Sequence, residues 1–185
     1  LAKSHNPSIV SKEWLLEKGI VEGRVSDFAH TLIFSHVETE NFKIFLDPDR
    51  LQISVKNLTP ENMTNLPKIA EKYIDNLPET PYTAVGLNYL FHCTAVTNLK
   101  TIFSPDDRKF KKLFSENYKL DGILRFKFND FNVALTLKHL ADEEIAAKFN
   151  FHFDGKEIEQ FKEKFKSYLE MRKKAEEILR GLFNA

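Results

Sequence analysis

Residues 122–137 read "GILRFKFNDFNVALTL", and few folds can accept them. Apolar and polar side chains alternate on both sides of Asn129-Asp130, and successive strand residues point to opposite faces of a sheet. A two-residue Asn-Asp link between two such runs predicts a β-hairpin. Leu124, Phe126 and Phe128 then turn one way, and Ile123, Arg125 and Lys127 the other. A later run, "KFNFHFD", alternates as strictly. It sends Phe149, Phe151 and Phe153 inward and leaves Asn150, His152 and Asp154 outside.

The rest of the chain follows the same economy of short connections. "SKEWLLEKG" reads as a small helix, with Ser11 as its cap and Gly19 as its stop. "FAHTLIFSHV" reads as one strand. "FKIFLDPDRLQISVK" reads as a hairpin turning through Asp47-Pro48-Asp49-Arg50. Thr59-Pro60 opens a helix, and Pro67 predicts a short first turn before a main helix from about Leu66, with Ile69, Ala70, Tyr73, Ile74 and Leu77 inward. "YTAVGLNYLFHCTA" is a strand. Ser104-Pro105-Asp106-Asp107 opens a helix carrying Phe110, Leu113 and Phe114, and "ADEEIAA" holds one helical turn. From about Gly155 to Leu182, apolar residues recur at intervals of three and four, with Leu169 and Ile178 widening the stripe. That spacing predicts a single helix of ~27 residues, about 40 Å long.

Tight hairpins without βαβ alternation place the chain in the α+β class. The expected architecture is a mainly antiparallel sheet of six or seven strands with long amphipathic helices packed on one face. The alternative is a helix-grip-like curved sheet around the C-terminal helix. At 185 residues, the chain reads as one domain over 1–185, with a short N-terminal helix and lead-in at 1–23 and a long C-terminal helix at 155–183.

Charge excludes little but ranks the partners. Net charge is zero, with residues 1–93 carrying 9 Lys/Arg against 12 Asp/Glu, so the halves stand at −3 and +3. A nucleic-acid protein normally shows a stronger basic footprint. One cysteine forms no internal disulfide, which fits a reducing, cytoplasmic compartment. No apolar run approaches the ~20 residues of a membrane span, so no membrane partner is expected.

The catalytic candidates are few. His92 and Cys93 are neighbours in a strand, so their side chains part to opposite faces, and Cys93 joins Val85, Leu87, Tyr89 and Phe91. His30 and His36, read on one continuous strand, stand about 20 Å apart and share no metal ion. No HExxH or CxxC occurs. "KIFLDPDRL", an apolar strand ending in Asp-x-Asp, resembles the nucleophile motif of the haloacid dehalogenase-like phosphatases. That resemblance implies Asp47 as nucleophile and Asp49 as general acid/base beside a magnesium ion, on a parallel, doubly wound sheet. A Pro-Asp hairpin turn accounts for the same two carboxylates with no catalysis.

What remains is the outward sheet face, where Asn88, His92, Arg125, Lys127, Asn150 and His152 are the candidate ligand-binding residues. No catalytic residue, metal ligand or cofactor is expected. The reading is a non-catalytic binding or assembly module, whose partner is another protein or a second copy. One alternative is a nucleic-acid-associated protein using the modestly basic sheet face. The other is a small-ligand-binding protein or enzyme with a Phe-lined cavity.

Overall fold

A computed structural model describes residues 1–94, 99–103, 108, 112–113, 121–141 and 144–183. They form two compact units, Leu1–Val85 with Asp154–Leu169, and Gly86–Phe153 with Glu170–Ala185.

The first unit opens with α1 (Lys12–Glu17), whose Ser11 cap accepts the Trp14 amide at 3.1 Å. Four strands follow, β1 (Val25–His30), β2 (Ser35–Thr39), β3 (Phe42–Leu46) and β4 (Leu51–Val55), paired in chain order and all antiparallel. Helix α2 (Pro60–Asn76) packs against β4 and against α4 (Ile158–Lys166). The inner side of this sheet is apolar: Val37, Ile44 and Leu46 are buried, as are Leu15, Ile69, Tyr73, Ile74 and Phe161.

The second unit is built on β5 (Ala84–Cys93, whose first two residues belong to the first unit), α3 (Lys100–Phe103), β6 (Gly122–Phe128), β7 (Phe131–Ala141), β8 (Glu144–Asp154) and α5 (Tyr168–Phe183). Its four-stranded sheet runs β5-β8-β7-β6, so the first strand pairs with the last. Asn129, at φ 49°, makes the β6–β7 turn, and Asn tolerates that left-handed conformation better than most residues. Phe149 and Phe151 are fully buried, with Phe91 edge-on to Phe149 at 6.1 Å and Tyr89 edge-on to Phe151 at 5.8 Å. Met171, Ala175 and Leu179 of α5 are buried, and the Arg172 guanidinium lies 5.8 Å over the Phe91 ring. A Cβ at Gly122 would stand 2.4 Å from the Phe103 ring, so any larger residue there requires that ring to shift.

The expectation of one sheet with six or seven strands and long helices is therefore corrected to two four-stranded sheets. Three local causes are visible. First, "FAHTLIFSHV" is a hairpin rather than a strand: the Thr31 hydroxyl accepts the Ile33 and Phe34 amides at 3.2 and 3.1 Å, and the Thr31 amide bonds to Phe34 O at 2.8 Å. Second, the C-terminal helix breaks at Ser167. Its amide tightens onto Lys164 O and its hydroxyl bonds to Glu163 O at 3.4 Å, a local competition that serine offers to helical bonding. Two helices of 9 and 16 residues result, and Leu169 is 44% exposed rather than part of the apolar stripe. Third, Glu144–Ala147 extend β8 instead of forming a helical turn.

Pro67 does not interrupt α2, which runs unbroken from Pro60. A mid-helix proline costs on the order of 3 kcal/mol, and burial of Ile69, Ala70, Tyr73 and Ile74 beyond it offsets that. Of the helix expected around Phe110, Ser104–Asp107, Lys109–Lys111 and Phe114 lie outside the described residues; Arg108, Lys112 and Leu113 are helical and exposed.

Candidate functional site

Register, not proximity in sequence, assembles the outer face of the second sheet. Lys127 pairs with Asn132 and Asn132 with His152; Arg125 pairs with Ala134 and Ala134 with Asn150; Ile123 pairs with Thr136 and Thr136 with Lys148. Lys138 opposite Ala146 extends the patch. Directly paired residues share a face, so these side chains form rows about 4.8 Å apart across the strands and roughly 7 Å apart along them. Asn150 donates to Asn88 Oδ1 at 2.8 Å, which ties β8 to β5. His92 stands at the far end of the same side of β5 and is exposed. All six candidate residues thus lie on one side of one sheet, with Asn88 and Asn150 joined directly by their hydrogen bond.

The arginine and lysine side chains of this face are left unpaired among the described residues. Arg125, Lys127, Lys138 and Lys148 are exposed and have no ion pair or hydrogen-bonding partner among the described residues. Carboxylates stand at the two ends: Asp121, which accepts the His139 amide at 2.8 Å, and Glu144 at one, and Asp154, the last residue of β8, at the other. On the same face, Leu90 is 60% and Ile123 49% exposed. The rings of Phe, Tyr and Trp in these strands lie on the opposite, packed side among the described residues.

His92 and Cys93 do part. The burial pattern of β5 alternates, with His92 exposed and Cys93 half-buried. Burial pushes the Cys93 thiol up from its ordinary value. A thiol held protonated is a poor nucleophile. Asp47 and Asp49 sit in the β3–β4 turn, where Asp47 Oδ1 accepts the Asp49 and Arg50 amides at 3.0 and 2.9 Å. That turn joins antiparallel strands, so the parallel sheet implied by the phosphatase resemblance does not form.

A cluster that sequence reading separated appears on the outer face of the first sheet. The hairpin at Thr31–Phe34 makes Asp27 and Glu38 direct partners and sets His36 opposite Ala29. His36 Nε2 lies 3.4 Å from Glu38 Oε1 and 3.7 Å from Asp27 Oδ2. Lys43 and Lys56 reach Glu38 at 2.7 and 3.1 Å, and their hydrogen bonds lower its pKa to about 2. "HVE" was the available signal, since residues two apart on a strand share a face. Asp27 joins only once the turn is known.

Two other features complete the inventory. A groove of about 500 Å³ lies in the first unit between Arg24, Glu40, Phe42, Asn62, Lys68 and Lys72. Phe42 is its one phenylalanine, so it is not the Phe-lined cavity considered from sequence. Its lysines are partly engaged, Lys72 by Gly19 O at 2.7 Å and Glu22 at 3.2 Å. His5, 5% exposed, packs edge-on to Tyr73 and Tyr82, and burial lowers its pKa to about 4, which keeps it neutral.

Among the described residues no helix is long and apolar enough to cross a membrane. Compared with protein-family models, with curated proteins and with solved structures, the chain matches none.

Proposed function

We propose that the chain is a non-catalytic binding module, and that its working surface is the outer face of the β5-β8-β7-β6 sheet. The observation that supports this is the group of four unpaired cations, Arg125, Lys127, Lys138 and Lys148, on a face whose reverse side holds the core. Cations left without carboxylates raise the local concentration of anionic partners and speed their arrival. Asn88, Asn132 and Asn150 supply amide donors and acceptors beside them, and Leu90 and Ile123 supply apolar contact. This mixture suits an extended acidic polypeptide with interspersed apolar residues. The proposed compartment is a reducing, cytoplasmic one, which a single half-buried thiol fits.

Single-stranded nucleic acid is the second reading, favoured by the same cations on an open antiparallel sheet. Sequence-tolerant single-strand binding relies on exposed aromatic platforms, and on this sheet the Phe and Tyr rings face the core. The acidic polypeptide is therefore preferred. Fluorescence anisotropy with a labelled Glu/Leu-rich peptide and a labelled single-stranded oligonucleotide separates the two. The peptide is expected to bind, with affinity falling as salt rises, and the double variant R125E/K127E to lose at least about tenfold, which is 1.4 kcal/mol. Binding of the oligonucleotide alone transfers the surface to the nucleic-acid reading. Binding of neither at low salt refutes both.

A further inference from the structure

We propose that Asp27, His36 and Glu38 form a binding site for a divalent transition-metal ion of the zinc class on the outer face of the β1–β2 hairpin. Donor spacing carries the argument. Ligands on a tetrahedral ion with metal–ligand bonds near 2.1 Å stand about 3.4 Å apart. His36 Nε2 meets Glu38 Oε1 at 3.4 Å and Asp27 Oδ2 at 3.7 Å, and one donor atom from each residue lies within 4.8 Å of the other two. Those separations are too long for an imidazole–carboxylate hydrogen bond, which closes to about 2.7–3.2 Å. The His36 ring makes no hydrogen bond among the described residues, so it is aimed at two carboxylates without being hydrogen-bonded to either.

The scaffold is suitably fixed. Asp27 and Glu38 are paired across two hydrogen-bonded strands, and His36 is two residues from Glu38 on the same face. The Asp27 side chain is 68% exposed, which leaves the remaining coordination positions to water. An imidazole beside two carboxylates selects zinc, cobalt or nickel over magnesium, which takes oxygen ligands. Lys43 competes for the same Glu38 oxygen at 2.7 Å. The ion displaces that ammonium, which is half exposed and free to turn to water, while Lys56 keeps the second oxygen. Bound metal then clamps edge strand β1 to β2.

The test titrates the chelator-treated full chain with Co²⁺, read by visible absorption, and with Zn²⁺, read by calorimetry. One saturable equivalent is expected, unaffected by excess Mg²⁺. His36→Gln and Glu38→Gln are each expected to weaken it at least about tenfold, by comparison with the 10–100-fold cost of losing even an outer-shell partner. Lys43→Met is expected to tighten it by removing the competing cation. Wild-type affinity in His36→Gln would place the ion elsewhere and overturn the proposal. So would an absence of saturable binding, or binding confined to Lys43→Met, because either shows that the ammonium holds the native hairpin.

Discussion

Both units set a four-stranded antiparallel sheet against helices, yet their outer faces dispose of charge in opposite ways. On the first sheet, Lys43 and Lys56 converge on Glu38, and Arg50 lies at 2.9 Å from Asp47 in the neighbouring turn. Each cation has an anion within reach. On the second sheet, Arg125, Lys127, Lys138 and Lys148 have none among the described residues. Exposed ion pairs add little stability, typically below about 1 kcal/mol each, so neither arrangement is needed to hold its sheet together. The difference bears instead on what each face offers an incoming molecule. Paired charges spend their field on one another, whereas unpaired cations project it into solvent.

Three measurements break or sharpen this contrast. The largest effects belong to the inner faces, where the units are alike. Ile44→Ala in the first and Phe149→Ala in the second each remove a fully buried side chain. Losses of about 2–5 and about 3–5 kcal/mol are expected from denaturant unfolding. A loss under about 1 kcal/mol at either position would mean that one sheet is packed far more loosely than the other.

The next effect belongs to the first unit alone. Hydrogen bonds from Lys43 and then Lys56 lower the Glu38 pKa from 4.5 to about 2. The folded state therefore holds this carboxylate ionised over a range where the unfolded chain protonates it. The associated stability is complete above pH 4.5 and is lost as pH falls toward 2. Urea titrations across that window should show a shallower acid limb for Glu38→Gln than for the wild type, both in chelating buffer. Parallel limbs would remove Glu38 as the hub of the paired face.

The smallest effect is a near absence. R125E/K127E should change unfolding free energy by no more than about 0.5 kcal/mol, as for surface positions that touch no partner. A larger loss would show that these cations serve the fold after all.

The sequence carried this contrast unevenly. Alternation made the facing of Arg125 and Lys127 against Phe126 and Phe128 legible, and Asn129 announced its own turn. The same rule read His92 and Cys93 as pointing apart, in keeping with their unequal exposure. It failed at Thr31–Phe34, because "TLIF" contains no Gly, Pro, Asn or Asp, and a threonine hydroxyl performs the turn. That single omission hid the Asp27–His36–Glu38 cluster by stretching His30 and His36 along one strand. The pairing of β5 with β8, which brings Asn88 to Asn150 across 62 residues, is non-local, and no periodicity encodes it. Two sheets in place of one follow from the same blindness. The break at Ser167 was hidden by an apolar stripe that continues across it, since helical rhythm survives a single tightened turn.

The second sheet's outer face is the surface proposed to meet a partner. Amide chemical-shift mapping during titration with the acidic Glu/Leu-rich peptide tests this most directly. Perturbations are expected along β5, β6, β7 and β8, strongest near Asn88, Arg125, Lys127 and Asn150, and weakened by R125E/K127E. Shifts gathered instead around Arg24, Lys68 and Lys72 of the first unit's groove, with the second sheet silent, would contradict it.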